Sequence, residues 1–326
     1  MQPFAYAAPT TLQQATALLG THWGEADVLA GGTDLVSLMK EHVHTPKRVV
    51  NIKGIQELGG ISKSAAGLRI GAMATLEELL GNADVSKEYP ALATAARGVS
   101  SPQIRNLGTV GGDLCQRPRC WYFRMGYGLL ARDQNDRALV PEGENRYHAI
   151  FSSGPAYFVS ASSLGPALIA LGARVKLVSA KGSRELAVEK FFLIPKDGAS
   201  REIALAPGEI LTEILVPPAR GRNATYEVRQ REALDWPLAA ASVVLRMKGS
   251  TVAAARIVLG HVAPTPWPAK EAEKLLAGKS ITAETAEQAA QAAVAGATPL
   301  SQNGYKVQLA RVAVKRALLA AAGIRA

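Results

Sequence analysis

Two short stretches carry the residue types from which a phosphate site is built. The first is Val28-Leu29-Ala30-Gly31-Gly32-Thr33-Asp34-Leu35. The second is Arg105-Asn106-Leu107-Gly108-Thr109-Val110-Gly111-Gly112-Asp113. Glycine lets the backbone approach a ligand closely and adopt positive φ. Successive main-chain N–H groups then form a nest that suits an anion such as a pyrophosphate. The helix-forming run Leu35-Val36-Ser37-Leu38-Met39-Lys40 follows the first stretch directly. Thr33 or Asp34 is therefore expected to cap that helix, whose N-terminus would add partial positive charge. Neither stretch is GxGxxG or GxxxxGK[ST]. Taken singly, each Gly-Gly pair reads equally well as a tight turn. Two matched loops in one chain favour a shared ligand.

The remaining chemistry-bearing residues are few. Cys115 and Cys120 are the only cysteines. Two cysteines cannot make a four-cysteine zinc or iron–sulfur site, and a chain of this size with two is no secreted disulfide scaffold. They are expected to be buried or partly buried thiols. His148 has no carboxylate or nucleophile at a readable spacing and reads as a core or surface histidine. Arg97, Arg105, Arg117, Arg119 and Arg124 lie close together with Asp113 as the only acid between them. Beside the second loop, they suit a diphosphate, an acidic partner or a solvated surface. Lys306, Arg311, Lys315 and Arg316 form a second basic set on the last helix.

Ala30-Gly31-Gly32-Thr33-Asp34-Leu35 together with Ile104-Arg105-Asn106-Leu107-Gly108-Thr109-Val110-Gly111-Gly112-Asp113-Leu114 resembles the FAD-binding medium subunit of the molybdenum hydroxylases. This is the xanthine dehydrogenase, aldehyde dehydrogenase and carbon monoxide dehydrogenase group. The resemblance extends over nearly the whole chain. It implies an α+β chain with a two-subdomain FAD-binding fold of the vanillyl-alcohol oxidase/p-cresol methylhydroxylase type. It also implies that both loops wrap the FAD pyrophosphate through main-chain amides. The cofactor-binding set it suggests is Leu29, Ala30, Gly31, Gly32, Thr33, Asp34 and Leu35 from the first loop, with Asn106, Thr109, Gly111, Gly112 and Asp113 from the second. Ser163, Leu164 and Leu168 correspond to a segment that touches the adenosine and flavin side. Ser163-Leu164 stands where relatives commonly have Asp-Leu or Asp-Met. Arg229, with Arg231, matches a Lys-x-Arg segment near the flavin ring, and Trp236 follows it. Some relatives carry a [4Fe-4S] cluster on an insertion that begins like Cys120-Trp121-Tyr122-Phe123-Arg124. The further cysteines it needs are missing here, so no iron–sulfur cluster is expected on this chain.

The elements that must position these residues read as follows. Residues 1–54 form a first FAD-binding subdomain with a βαβ rhythm. Thr10 or Thr11 caps a helix from Leu12, Asp27 to Ala30 is a strand, and Arg48 to Ile52 is another. Residues 55–218 form the second subdomain. Thr75 and Glu78 make a capping box, a helix runs from Ala91 to Gly98, Pro102 stops any continuation of it, and the second loop follows. The stretch 124–153 is irregular. Ala156 to Ala161 is a strand, Ser163 caps a helix from Leu164, and 173–179 pairs with 184–188 as a hairpin. Pro217-Pro218-Ala219-Arg220-Gly221 is a linker. Residues 219–326 form a C-terminal domain of three antiparallel strands, 225–231, 239–247 and 251–259, followed by three helices.

The 326 residues, 48% hydrophobic, can bury a substantial core. No signal-peptide pattern or bilayer-length apolar run is visible, so a cytoplasmic protein is expected, unless a partner bearing a signal exports it. The net charge of +10 raises nucleic-acid binding. The basic residues are interspersed with acids, and no nucleic-acid motif is present, so no nucleic-acid partner and no membrane span are expected. The resemblance implies an oxidoreductase subunit that transfers electrons through FAD. Its partners would be a large subunit with molybdenum cofactor, which oxidises the substrate, and a small subunit with [2Fe-2S] clusters. A stand-alone flavin oxidase or reductase of the same fold is the alternative, and a basic nucleic-acid module a more distant one. No catalytic acid, base or nucleophile is assigned.

Overall fold

The computed structural model describes residues 1–99, 101–152, 154–231 and 235–325. The first sheet is parallel, ordered β1-β3-β2, from β1 Ala5–Ala7, β2 Ala26–Leu29 and β3 Arg48–Asn51. Parallel neighbours need crossovers, and the helices Leu12–Leu18 and Leu35–Lys40 supply them. Thr11 caps the first helix by accepting from the Gln14 N–H. Ala15, Val50, Ile52 and Leu58 bury the small core of this unit.

The second sheet is antiparallel, ordered β4-β5-β8-β6-β7, from β4 Ile61–Ser64, β5 Gly67–Gly71, β6 Arg174–Ser179, β7 Gly182–Ala187 and β8 Ile210–Val216. Its apolar face, including Ile70, Val175 and Ile214, packs in one core with the helices Leu76–Gly81, Pro90–Arg97 and Gly165–Ala170. Thr75 and Glu78 form the predicted capping box.

Two expectations fail here, and Pro102 has a second role that was not expected. The helix Pro90–Arg97 has ended before Pro102, and Pro102 also opens the helix Pro102–Leu107, whose Ser101 cap accepts from the Ile104 N–H. Proline fits that position because the N–H it lacks has no helical partner there. Thr109 then caps a second short helix, Val110–Cys115, so the second glycine loop is largely helical. The segment 156–161 is extended but forms no strand: it meets its neighbours through single bonds, Ala149 N–H to the Tyr157 carbonyl and Ser160 N–H to the Ala263 carbonyl.

The C-terminal sheet has four antiparallel strands, not three, in the order β12-β11-β10-β9. These are β9 Arg222–Val228, β10 Ala239–Lys248, β11 Thr251–Gly260 and β12 Trp267–Pro268. The extra strand is two residues long and contains a proline, which hides it from periodicity. It pairs with Val258 and Leu259, and the Trp267 ring stacks on Phe151 at 4.8 Å. Strand β9 ends at Val228, so Arg229 and Arg231 follow the strand instead of lying in it. The helices Lys270–Leu276, Ala283–Val294 and Tyr305–Ala322 cover this sheet with an alanine-rich core.

Candidate functional site

A cleft of about 470 Å³ runs between the three units. Its wall contains Ala30 to Leu35 from the first loop, and Gly108, Thr109 and Gly111 to Asp113 from the second. The two loops meet at one point: a Cβ added to Gly31 would fall on the Leu107 carbonyl oxygen. Gly111 is confined too, though less, since its added Cβ would lie 2.7 Å from the Ala72 Cβ. Gly32 sits at φ +78°, which favours glycine.

The loops differ in what they offer. Among the described residues, the main-chain N–H groups of Gly31, Gly32, Thr33, Asp34 and Leu35 have no hydrogen-bond acceptor in the protein, and all five residues line the cleft. In the second loop these donors are already used. Val110 donates to the Ala74 carbonyl, Gly111 to the Ala72 carbonyl, Gly112 to Thr109 Oγ1 and Asp113 to the Thr109 carbonyl. The first loop is thus a donor nest, and the second a rigid wall held against it.

Asp34 occupies the cap position of the helix Leu35–Lys40, but its side chain does not cap. Its carboxylate accepts instead from the Arg117 N–H at 2.8 Å and from Arg124 Nη2 at 2.7 Å, and Arg119 Nη2 lies 3.1 Å away. The arginines beside the second loop therefore anchor the first. Arg117 is buried, pairs with Glu202, donates to His44 Nε2 at 2.6 Å, and lies over the Phe123 ring. Burial pulls its guanidinium below the ordinary range, and Glu202 opposes the shift. Burial likewise lowers Arg119, opposed by Asp34. Arg119 stacks 4.5 Å over Trp236, which lines the cleft.

Asp113 is buried, and among the described residues it makes no ion pair. It accepts from Ser162 Oγ at 2.5 Å, Leu164 N–H at 3.0 Å, Ser163 N–H at 3.2 Å and Gln116 Nε2 at 3.0 Å. Burial pushes its carboxyl above the usual range, and these donors pull it part of the way back. Its carboxylate thus ties the second loop to the 162–164 turn. Leu164 holds the cap position of the helix Gly165–Ala170 and makes no side-chain cap, where Ser163 was expected to cap; Ser162 Oγ accepts from the Gly165 N–H instead.

The other expected contacts separate. Ser163 lines the cleft. Leu164 and Leu168 are fully buried in the main core, away from the wall. Leu29 ends β2 just before the nest. Asn106 is exposed and bonds back to the Pro102 carbonyl. Arg229 stands behind the wall, paired with Glu227 and donating to the carbonyl of the cleft residue Asp235 at 2.9 Å. Glu232 to Leu234, beside it, lie outside the described residues.

Sequence reasoning missed one side of the cleft altogether: Leu19, Trp23, Arg201, Ile203, Leu205 and Pro207. Arg201 lies 4.1 Å over the Trp23 ring. These residues come from two distant segments without a motif, so no spacing could have signalled them. Cys115 also lines the cleft, and burial pushes its thiol up to about 12. Cys120 touches His148 at 3.1 Å, in a cage of Trp121 and Tyr122. Among the described residues, no three His, Cys, Asp or Glu side chains gather as a metal site, and no helix is long and apolar enough to cross a membrane.

Residues 2–219 match the family model described as the FAD binding domain in molybdopterin dehydrogenase, and residues 224–321 match the CO dehydrogenase flavoprotein C-terminal domain. The chain belongs to this family of FAD-binding subunits. It is 33% identical to the carbon monoxide dehydrogenase medium chain of Hydrogenophaga pseudoflava, covering 98% of this chain and 96% of that one. It is 30% identical to the aldehyde oxidoreductase FAD-binding subunit of Escherichia coli, over 95% and 96% of the two. The solved carbon monoxide dehydrogenase from Hydrogenophaga pseudoflava superposes with a TM-score of 0.76 at 32% identity, covering 98% of each chain. Quinoline 2-oxidoreductase from Pseudomonas putida does so at 0.77 and 27%, covering 99% of this chain and 98% of that chain. This FAD-binding subunit is therefore an oxidoreductase subunit, carrying its cofactor domain in the first two units and the flavoprotein C-terminal domain in the third.

Proposed function

We propose that the cleft holds FAD with its pyrophosphate over the N–H groups of Gly31 to Leu35. On this reading the subunit takes electrons from [2Fe-2S] clusters of a partner and passes them to an external acceptor, within a complex whose molybdenum subunit oxidises the substrate. The observation that carries the reading is the run of five free donors on the cleft wall, pinned by the Gly31–Leu107 contact. A dianionic linker satisfies donors that the protein itself leaves unmet. FAD, when bound, supplies the redox chemistry, exchanging electrons singly or in pairs. The chain's own residues do the rest. Asp34 fixes the nest through Arg117 and Arg124, the glycines keep side chains out of it, and Arg119 with Trp236 walls one end.

The test is an absorption spectrum with flavin and iron analysis on the purified chain, followed by co-purification from the native host. Stoichiometric flavin without iron, and recovery with molybdenum- and iron-bearing subunits, is the expected result. A chain that takes up no FAD would overturn the cofactor assignment. A flavin-loaded chain that is always recovered alone and oxidises a small substrate would favour the stand-alone oxidase.

A further inference from the structure

One side of the cleft carries a feature the proposed pyrophosphate site does not use. Trp23 lies in the connection between the helix Leu12–Leu18 and β2, and Arg201 lies in the segment leading into β8. Nothing in the sequence links them, yet the guanidinium lies 4.1 Å from the indole centroid. The Arg201 side chain is 15% exposed, and its Nε is buried without an acceptor. Glu202 Oε2 lies 3.5 Å from that nitrogen, too poorly aligned to accept from it. Leu19, Ile203, Leu205 and Pro207 also line the cleft, and the buried Arg117–Glu202 pair adjoins Arg201. The other side of the cleft is different in kind. It presents Asp235, Trp236 and Arg119, with the Glu227–Arg229 pair directly behind Gly98.

A guanidinium lying over an aromatic ring can offer its other face to a planar heterocycle, on which it stacks well. Leu19, Ile203, Leu205 and Pro207 on the cleft wall help to exclude water from such a stack. A dinucleotide laid across the nest has one flat ring at each end. The end rich in charged and polar groups suits the ring whose electron affinity must be tuned. The end at which Arg201 covers the Trp23 indole suits a ring that only has to be held.

We infer that Arg201, lying over Trp23, is the platform on which the adenine ring of the dinucleotide stacks, so that this pair sets the preference for FAD over FMN. The inference rests on the reading that the cleft holds FAD, and it goes further by giving each end of the cleft its ring. Trp23 and Arg201 are positioning residues; they hold the cofactor and take no part in electron exchange.

The full chain, stripped of flavin, is titrated with FAD and with FMN by flavin fluorescence, and with ADP as a competitor of FAD. Trp23→Ala, Arg201→Ala and Arg201→Lys are compared with the parent, each checked by thermal unfolding. Lysine keeps the charge and loses the plane. Each variant is expected to weaken FAD and ADP about tenfold or more, the size of one lost base stack, and to leave FMN within about twofold. Should one variant fail to fold, the other two carry the comparison. If FMN weakens while ADP does not, the flavin ring sits at this end and the inference is overturned. If all three variants keep the parent's FAD and ADP affinities, the platform has no role and it is overturned equally. A parent chain that binds no FAD contradicts the cofactor reading itself, a result distinct from either.

Discussion

Gly31→Ala tests the crossing of the two loops directly. The added methyl would overlap the Leu107 carbonyl oxygen, and it would lie 3.2 Å from the Gly108 Cα. Both neighbours are main chain, so no side chain can swing aside. One loop must move, and it is held at both ends: Leu107 and Gly108 by the short helix before them, Gly31 and Gly32 by β2 and the following helix. Overpacking of this kind costs about 1–3 kcal/mol, or roughly a fivefold to hundredfold shift in the folding equilibrium. The opened loops also draw the nest away from the wall that backs it. Gly81→Ala is the control. That glycine lies in a helix, and an added Cβ meets nothing within 4 Å. It should be neutral or stabilising by up to about 1 kcal/mol. The assays are the urea midpoint and the flavin retained through gel filtration. Gly31→Ala should lower both and Gly81→Ala neither. If Gly31→Ala keeps full flavin and the parent midpoint, the two loops are not in the contact described, and the cradle argument fails with it.

Other perturbations have equally definite outcomes. Asp34→Ala leaves Arg124 and Arg119 without their shared carboxylate and the Arg117 N–H without an acceptor; flavin affinity should fall at least tenfold while the C-terminal domain keeps its stability, as differential hydrogen exchange would read. Asp113→Ala strands up to four donors around one buried point, and a loss of about 3 kcal/mol or more in urea unfolding is expected; a change below about 1 kcal/mol would mean that the tie to the 162–164 turn is dispensable. Acid should loosen the junction around the last helix. Burial, aided by the Lys306 charge, depresses His148 to about 4 and His261 to about 3 from an ordinary value of 6.5. Both are stable as neutral rings in the fold, so their contribution is present above pH 6.5 and is lost as the pH falls through about 4 and then 3. The 3% exposed His148 alone corresponds to about 3 kcal/mol at about 1.4 per unit; urea midpoints that stay flat from pH 7 to pH 4 in the parent, or that fall equally in His148→Gln, would contradict this.

The glycine loops were legible because they are local: a Gly-Gly pair with its Thr and Asp needs no partner to be recognised. What each loop does was less so. Whether the N–H groups of residues 110–113 are free depends on Ala72 and Ala74, nearly forty residues earlier, and that dependence is tertiary. The same limit explains Asp34, which reads as a helix cap until three arginines some ninety residues away claim its oxygens. Leu164 and Leu168 fit an apolar wall as well as an apolar core in sequence; the core holds them because the helix Gly165–Ala170 packs its whole surface inward. The helix that Pro102 opens went unforeseen because proline suits a stop and a first turn alike, and only the Ser101 cap reveals the second. The Trp23–Arg201 side had no signal at all, since its two halves are far apart and neither is part of a pattern.

The irregular stretch before residue 150 has a further consequence. Lys306 Nζ donates to the carbonyls of Tyr147, His148 and His261, and Asn303 Nδ2 to those of His148 and Ala149. Asn145 reaches Ser301, and the Gln302 N–H returns to Asn145. The far end of the stretch is thus sewn to the last helix, while its near end is sewn to the first glycine loop through Arg124 and Asp34. Such a segment is a strap, not a lid. A protease that cuts at its exposed tip, near Asn135 and Asp136, would leave two fragments that migrate together under native conditions and part only in denaturant, with the cofactor cleft still assembled between them.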